Sequence, residues 1–182
     1  MSRVVIDIES LAFPFASFDT SQQEYLLKFA ATNREKEEAL QKLNLFPTTA
    51  RILAIGMVNP DTNAGLVLYQ GEGTEQFSAD HNARFVAGTE PELLHTFWDV
   101  LRRYDQFITF NGRAFDCPFL MLRSSILNIR PSRNLMPYRY DSSVHCDLLE
   151  QLTFYGTAKR FSLDFYCKTF GIESPKSRGI TG

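Results

Sequence analysis

Two carboxylates stand two residues apart in VVIDIES, an otherwise aliphatic segment near the start of the chain. Side chains at positions i and i+2 of a strand point to the same face, so Asp7 and Glu9 would lie side by side. Burying two such groups without a partner costs several kcal/mol or forces one of them to protonate. The only nearby cation, Arg3, lies too far along the strand to reach them. Divalent cations are the simpler compensation.

A third carboxylate follows a second strand-like segment. In FITFNGRAFDC, a strand ends at an Asn-Gly turn, and Asp116 falls at the start of the next helix. An acid at a helix start is favoured by the helix dipole by about 0.3–1 kcal/mol and needs no catalytic role. Ligands of open α/β sheets nevertheless gather at the carboxyl ends of strands, where all three acids are predicted to lie. Together, the three acids favour a ligand-binding site.

The surrounding sequence predicts the strands of an α/β fold. Continuous Val and Ile content in RVVIDI is typical of a strand covered on both faces. The segments RILAIGMVN and LVLYQG flank turn residues and predict a hairpin, with a short strand at EQFS and a further one at QFITF. We therefore expect a mixed sheet with Asp7 on a central strand.

Helical patterns fill the intervals between these strands. Residues 20–43 predict one or two amphipathic helices, and TEPELLHTFWDVLRRY predicts a helix capped by Thr89. Further helices are predicted in FDCPFLMLRSSIL and in FSLDFYCKTFGI, the latter capped by Ser162. VHCDLLEQLTFYG begins as a short strand and becomes a helix, with Asp147 and Glu150 spaced as a capping box.

Composition limits the class of protein. The 182 residues, of which 44% are hydrophobic, fit one domain with its own core. No segment resembles a secretory signal or approaches ~20 consecutive apolar residues, so we expect a soluble cytoplasmic protein without a membrane partner. The three cysteines lack C-x-x-C spacing, which favours reduced thiols over disulfides or a zinc site.

Charge is distributed unevenly along the chain. Residues 1–110 hold 9 Lys and Arg against 15 Asp and Glu, a net charge of −6, whereas residues 111–182 hold 10 against 6, a net charge of +4. A basic face that holds a polyanion and a scatter of solvated charges are both compatible with this distribution.

The motifs resemble those of a known family. Asp-Ile-Glu after a buried first strand, followed by Asn-x-x-x-Phe-Asp at residues 111–116, resembles the first two motifs of the DEDD exonucleases of the ribonuclease H-like fold. The sequence is most similar to the predicted 3'-5' exonucleases related to the proofreading domain of family B DNA polymerases, also in HCDLLEQLTFYG and GIESPKSRGITG. This resemblance implies a ribonuclease H-like mixed sheet flanked by helices, as a single domain over residues 1–182.

The resemblance also implies a reaction, which is hydrolysis of DNA from a single-stranded 3' end with two Mg²⁺ or Mn²⁺ ions. Carboxylate oxygens suit these hard cations. Asp7 would bridge both ions, Glu9 would hold the water-activating ion and Asp116 would hold the second. The residues implied to contact the nucleic acid are Ser10, Leu11, Asn111, Arg113 and Phe115.

One departure from the family pattern limits this expectation. Family members carry a third motif, Tyr-x-x-x-Asp or His-x-x-x-Asp, on a final helix, and this sequence lacks it. We therefore expect a C-terminally truncated domain with weak or absent catalysis. A non-catalytic nucleic-acid-binding domain with a degenerate metal site is the alternative. A nucleotide-binding or structural α/β domain is a third hypothesis, against which stands the absence of G-x-G-x-x-G and G-x-x-x-x-G-K-[ST].

Several other side chains admit both a functional and a structural interpretation. His145 and Asp147 could be spare metal ligands or serve packing and capping, while His81 and His95 are expected on the surface. The aromatic side chains after the first strand could stack on bases or fill the core. A late basic segment could contact phosphate or be solvated. The aromatic side chains are Phe13, Phe15 and Phe18, and the residues of the late basic segment are Tyr155, Lys159 and Arg160.

Overall fold

The computed structural model describes residues 1–174. Its strands are β1 (Arg3–Ala12), β2 (Ala50–Val58), β3 (Gly65–Gln70), β4 (Gln76–Phe77), β5 (Ala83–Gly88), β6 (Gln106–Thr109) and β7 (His145–Asp147). Its helices are α1 (Thr20–Leu26), α2 (Asn33–Gln41), α3 (Glu90–Leu101), α4 (Asp116–Ile126), α5 (Leu148–Leu152) and α6 (Leu163–Thr169).

The strands form one seven-stranded mixed sheet in the order β4-β5-β3-β2-β1-β6-β7. β1 to β3 form an antiparallel meander, whereas β1, β6 and β7 run parallel to one another. Val5 of β1 pairs with Ile108 of β6, and Thr109 of β6 pairs with Asp147 of β7. The carboxyl ends of these three strands therefore meet at one edge of the sheet, as expected of a site in an α/β fold.

The main core lies on one face of the sheet, beneath α3 and α4. Val4, Ile6 and Ile8 of β1 point into it, while Asp7 and Glu9 on the opposite face are exposed. The expectation that β1 is covered on both faces is therefore wrong for the part of the chain that the structure describes. The aliphatic run hides an alternation because the partly buried Val5 occupies the open face.

Most of the predicted elements are confirmed, and the helical stretch after β1 forms as two helices, each with a capping box. β5 was not predicted, because ARFVAG mixes a charge with small residues and has no fully buried position. It forms by pairing between β3 and β4, which local sequence does not reveal. The end of the family-like segment GIESPKSRGITG, residues 175–182, lies outside the described residues.

A buried ion pair anchors α4. Arg123 donates from Nε and Nη2 to the two carboxylate oxygens of Glu90 at 2.8 and 2.7 Å, and from Nη1 to the carbonyl of Pro47 at 3.2 Å. Oε1 of Glu90 also accepts the Ile52 N–H at 2.8 Å. These contacts join α4 to the start of α3, to β2 and to the loop that precedes β2.

The three cysteines are free thiols; Cys117 is buried, whereas Cys146 and Cys167 are half-buried. Among residues 1–174, every helix is too short or too polar to cross a lipid bilayer.

Candidate functional site

Asp7 and Glu9 occupy the open face of β1 where it approaches the sheet edge. Within the described residues, neither carboxylate takes part in an ion pair, and Arg3 is bound instead to Asp61. Asp7 is exposed as a whole, yet its carboxyl lies among enough protein atoms to be partly desolvated. This desolvation, followed by the charge of Glu9, raises the pKa of Asp7. The predicted pair of adjacent acids, without a cationic side chain beside it, is therefore present.

Asp116 is held against the backbone of β1. It is the first residue of α4, it is buried, and its Oδ1 accepts the N–H of Ile8 at 3.0 Å. Burial first, and the charge of Asp7 second, raise the pKa of Asp116 to about 7. Asp7 and Asp116 thus form a pair in which a second negative charge is destabilising unless a cation compensates it.

The three acids do not form a closed cage. Within residues 1–174, no group of three or more His, Cys, Asp and Glu side chains could hold a metal ion. The charge of Glu9 acts on Asp7, and the charge of Asp7 acts on Asp116, so the acids are linked in pairs. Mg²⁺ is commonly bound by one or two carboxylates and several waters, so the chemistry of this donor set suits such a cation.

The loop that carries the second motif has a fixed backbone. Asn111 adopts a left-handed conformation with φ of 62°. A Cβ on Gly112 would overlap the side chain of Thr109, so only glycine fits there. The N–H groups of Asn111 and Arg113 each donate to a different oxygen of Asp147 at 2.9 Å. The loop therefore presents its side chains from a rigid turn.

Asp147 is a structural residue rather than a spare ligand. Its carboxylate caps α5 by accepting the N–H of Leu149 at 3.0 Å, which confirms the predicted cap. The same carboxylate also binds the loop at Asn111 and Arg113, which were not predicted as its partners. With these backbone donors on both of its oxygens, the group is already compensated.

The second half of the predicted capping box is wrong. Glu150 does not turn back to its own helix start, because its carboxylate binds two arginines instead. Arg139 Nε lies 2.7 Å from Oε1, and Arg113 Nε lies 3.4 Å from Oε2. Sequence analysis missed Arg139, and the only available signal was the positive balance of residues 111–182.

The residues implied to contact nucleic acid lie on two sides of the acids. A register shift after Glu9 precedes Ser10, whose Oγ donates to the carbonyl of Asn44 at 2.6 Å, and Leu11 is 42% exposed. On the other side, Asn111 and Arg113 line one cavity. Phe115 is half-buried and packs on the core next to Phe119, with ring centroids 5.5 Å apart.

His145 is a core residue. Its Nε2 lies 2.9 Å from Thr109 Oγ1, and its ring stacks on Phe107 with centroids 4.3 Å apart. Burial first, and the Arg113 charge second, lower the pKa of His145 to about 4, so the ring is neutral at physiological pH. His81 and His95 are exposed, as predicted.

The aromatic side chains after β1 are half-buried, and the guanidinium of Arg123 lies 5.4 Å from the ring centroid of Phe13. Phe15 and Phe18 contact each other with ring centroids 6.5 Å apart. Packing therefore accounts for the buried part of each ring. Lys159 and Arg160 are exposed, and Arg160 borders the cavity next to Arg113.

A mixed sheet with helices on its face, and with carboxylates where parallel strands end, is consistent with the fold of a ribonuclease H-like exonuclease domain. The family model described as "Predicted 3'-5' exonuclease related to the exonuclease domain of PolB" matches residues 47–182, so the chain belongs to this family. The matched range begins after β1 and therefore includes Asp116 but neither Asp7 nor Glu9.

Curated relatives and a solved structure agree with this family. DNA polymerase 1 of Sulfurisphaera ohwakuensis is 26% identical over 129 residues, which is 62% of this chain and 15% of that protein. DNA polymerase 1 of Saccharolobus solfataricus is 29% identical over 122 residues, which is 59% of this chain and 13% of that protein. The chain thus spans a small part of these relatives.

The solved family B DNA polymerase of Pyrobaculum calidifontis superposes on 99% of this chain and 19% of its own, with a TM-score of 0.57 and 15% identity. At this identity, the likeness supports the fold alone.

Proposed function

We propose that this domain is a metal-dependent 3'-5' exonuclease that acts on the 3' end of single-stranded DNA. The observation that carries the proposal is the pairing of Asp7 with Asp116, whose pKa is raised to about 7 by burial and by the neighbouring charge. A protein that buries one carboxylate beside another has a place where a divalent cation is stabilising. Membership of the exonuclease-related family supports nucleic acid as the substrate.

Asp7, Glu9 and Asp116 are the residues that would hold Mg²⁺ or Mn²⁺. When bound, such ions supply an activated water at neutral pH and stabilise the leaving oxygen of a phosphodiester. The chain itself positions the carboxylates, since the hydrogen bond from the Ile8 N–H fixes Asp116 against β1. Asp147 holds the loop at Asn111, so that this loop can orient the nucleic acid beside the acids.

A second candidate function is supported by a specific observation. Because no three potential ligands within residues 1–174 form a metal-holding group, the domain could bind nucleic acid without cleaving it. The two functions share the fold and the loop that carries the second motif, and they differ in whether metal binding is followed by hydrolysis. We propose catalysis that is weaker than that of a domain with the complete ligand set.

Thermal unfolding with MgCl₂ or MnCl₂ tests the metal site. At a metal concentration ten times Kd, binding to the folded state alone adds about 1.4 kcal/mol, which raises Tm by about 3–6 °C. Asp7→Ala and Asp116→Asn should abolish this rise. Asp99→Ala is the matched control, because Asp99 is an exposed acid on α3, and it should leave the rise intact.

Cleavage then separates the two candidate functions. Single-stranded DNA labelled at its 5' end should shorten stepwise in the presence of Mn²⁺, and should stay intact with Asp7→Ala. No metal-induced rise in Tm for the unmodified chain contradicts the exonuclease proposal. A rise in Tm and DNA binding without any shortening support the binding domain instead.

A further inference from the structure

A cavity of about 380 Å³ lies beside the second-motif loop, next to α5. Three arginines border it, Arg113 from the loop, Arg139 from the segment before β7 and Arg160 from the segment before α6. Asn111 and two acids, Asp147 and Glu150, complete its polar lining. Asp7, Glu9 and Asp116 are not part of this lining, so the cavity is a separate feature close to the candidate site.

The acids in the cavity are already compensated. Both oxygens of Asp147 accept backbone N–H groups of the loop, from Asn111 and Arg113. Glu150 binds Arg139 through one oxygen and lies at ion-pair distance from Arg113 through the other. Three guanidinium groups against two compensated carboxylates leave one positive charge in excess. An anion is therefore the complementary ligand.

Arg113 also holds donors that the described residues do not satisfy. Its side chain is 12% exposed, and its Nη1 donates to the carbonyl of Pro137 at 3.1 Å. Nε and Nη2 are buried and have no hydrogen-bond partner within residues 1–174, since Nε lies near Glu150 without hydrogen-bond geometry. Leaving such donors unpaired is destabilising, so a ligand that accepts from them is favoured.

Arg160 completes the arrangement from the solvent side. It is exposed, and in the part of the chain that the structure describes it has no ion pair with an acid. A planar guanidinium matches the oxygens of a phosphate in a bidentate fashion, which makes arginine the common choice for phosphate recognition. The cavity thus combines a largely buried guanidinium, Arg113, with an exposed one, Arg160, at its rim.

We propose that this three-arginine cavity binds one phosphodiester of the nucleic-acid backbone and so anchors the strand beside the carboxylates. The identity of the ligand rests on the proposed nuclease function, whereas the preference for a phosphate-like anion rests on the cavity itself. Arg113 lies three residues before Asp116, so a nucleic-acid strand bound in the cavity passes close to Asp116. The anchor needs no divalent metal.

Binding of a fluorescein-labelled oligothymidylate, followed by anisotropy in EDTA, tests this anchor without catalysis. Arg160→Ala should weaken binding about fivefold and make the slope of log K against log [NaCl] shallower by about 0.7, as for one lost contact to single-stranded DNA. Arg130→Ala is the matched control, because Arg130 is an exposed arginine beyond the opposite end of α4, and it should bind as the unmodified chain.

Arg113→Lys keeps the charge and removes the planar fork, so it should weaken binding at least as much, with circular dichroism confirming the fold. Unchanged affinity and salt slope in Arg160→Ala, or no binding by the unmodified chain, overturn the proposal. If sodium phosphate raises Tm in the unmodified chain but DNA does not bind, the cavity takes free phosphate and the backbone assignment is wrong. DNA binding in EDTA without any metal-induced rise in Tm keeps the anchor and contradicts only the exonuclease proposal.

Discussion

Replacing Arg123 by methionine should destabilise the domain strongly, because the replacement strands a buried carboxylate. Glu90 is 8% exposed and would lose both charge-assisted hydrogen bonds from Arg123, so that among residues 1–174 only the Ile52 N–H would still donate to it. Breaking a buried pair by removing one partner costs about 3–5 kcal/mol. With a urea m-value of about 2 kcal/mol per M, the unfolding midpoint should fall by about 1.5–2.5 M.

The single tryptophan provides the signal for this measurement. Trp98 is buried, and its Nε1 donates to the hydroxyl of Ser124, the neighbour of Arg123, at 2.9 Å. Its fluorescence therefore reports on the helix that carries the replaced residue. Asp116 lies seven residues before Arg123 on the same helix, about two turns away, so loosening α4 should also reduce any metal-induced rise in Tm.

Two further variants separate a stranded charge from a simple loss of packing. Arg34→Met removes the arginine of the exposed pair Arg34–Glu38 on α2 and should leave the midpoint unchanged. Adding Glu90→Gln to Arg123→Met removes the stranded charge but keeps an acceptor for Ile52, so it should recover much of the loss. A midpoint for Arg123→Met within 0.3 M of that of Arg34→Met, or a double variant less stable than Arg123→Met, would refute this reasoning.

Two more stability changes follow from the site. In the folded state the pKa of His145 is lowered to about 4, whereas in the unfolded state it is about 6.5. As pH falls below about 6.5, His145 therefore binds a proton in the unfolded state before it does so in the folded state. The free energy of unfolding should thus fall by about 3 kcal/mol between pH 6.5 and 4. Urea titrations over this pH range should show the fall in wild type and not in His145→Asn. An equal dependence of the free energy of unfolding on pH in the two proteins would contradict the prediction. Gly112→Ala should cost about 1–3 kcal/mol by overlap with Thr109, whereas Gly56→Ala, with only a 3.7 Å contact, should cost less.

The acids of the candidate site could be located from the sequence because each belongs to a local pattern. A carboxylate pair in an aliphatic strand is conspicuous, and the N-G-R-A-F-D segment follows a strand and opens a helix. Parallel pairing of β1 with β6 then brings their carboxyl ends together. The contact between Asp116 and Ile8 spans 108 residues, and it was predictable only as proximity at a sheet edge.

Other features depend on pairings that local sequence does not encode. β5 has no fully buried position, and it exists because β3 and β4 supply partners for its backbone. The capping role of Asp147 was predicted from its neighbours, whereas its hydrogen bonds to the loop, 34 and 36 residues away, require β6 and β7 to be adjacent. Spacing along the chain therefore predicts the local partner of a side chain but not a second partner that is distant in sequence.

The same limit explains why Glu150 was assigned to the wrong partner. Its position three residues after Asp147 fits a capping box, but its carboxylate gains more from a charge-assisted hydrogen bond with Arg139 and from the nearby charge of Arg113 than from one backbone N–H. Arg139 and Arg113 are thereby held at fixed positions around the cavity, with Arg113 left short of acceptors. An acid that sequence pattern places in a helix cap thus organises a cavity bordered by three of the arginines of residues 111–182.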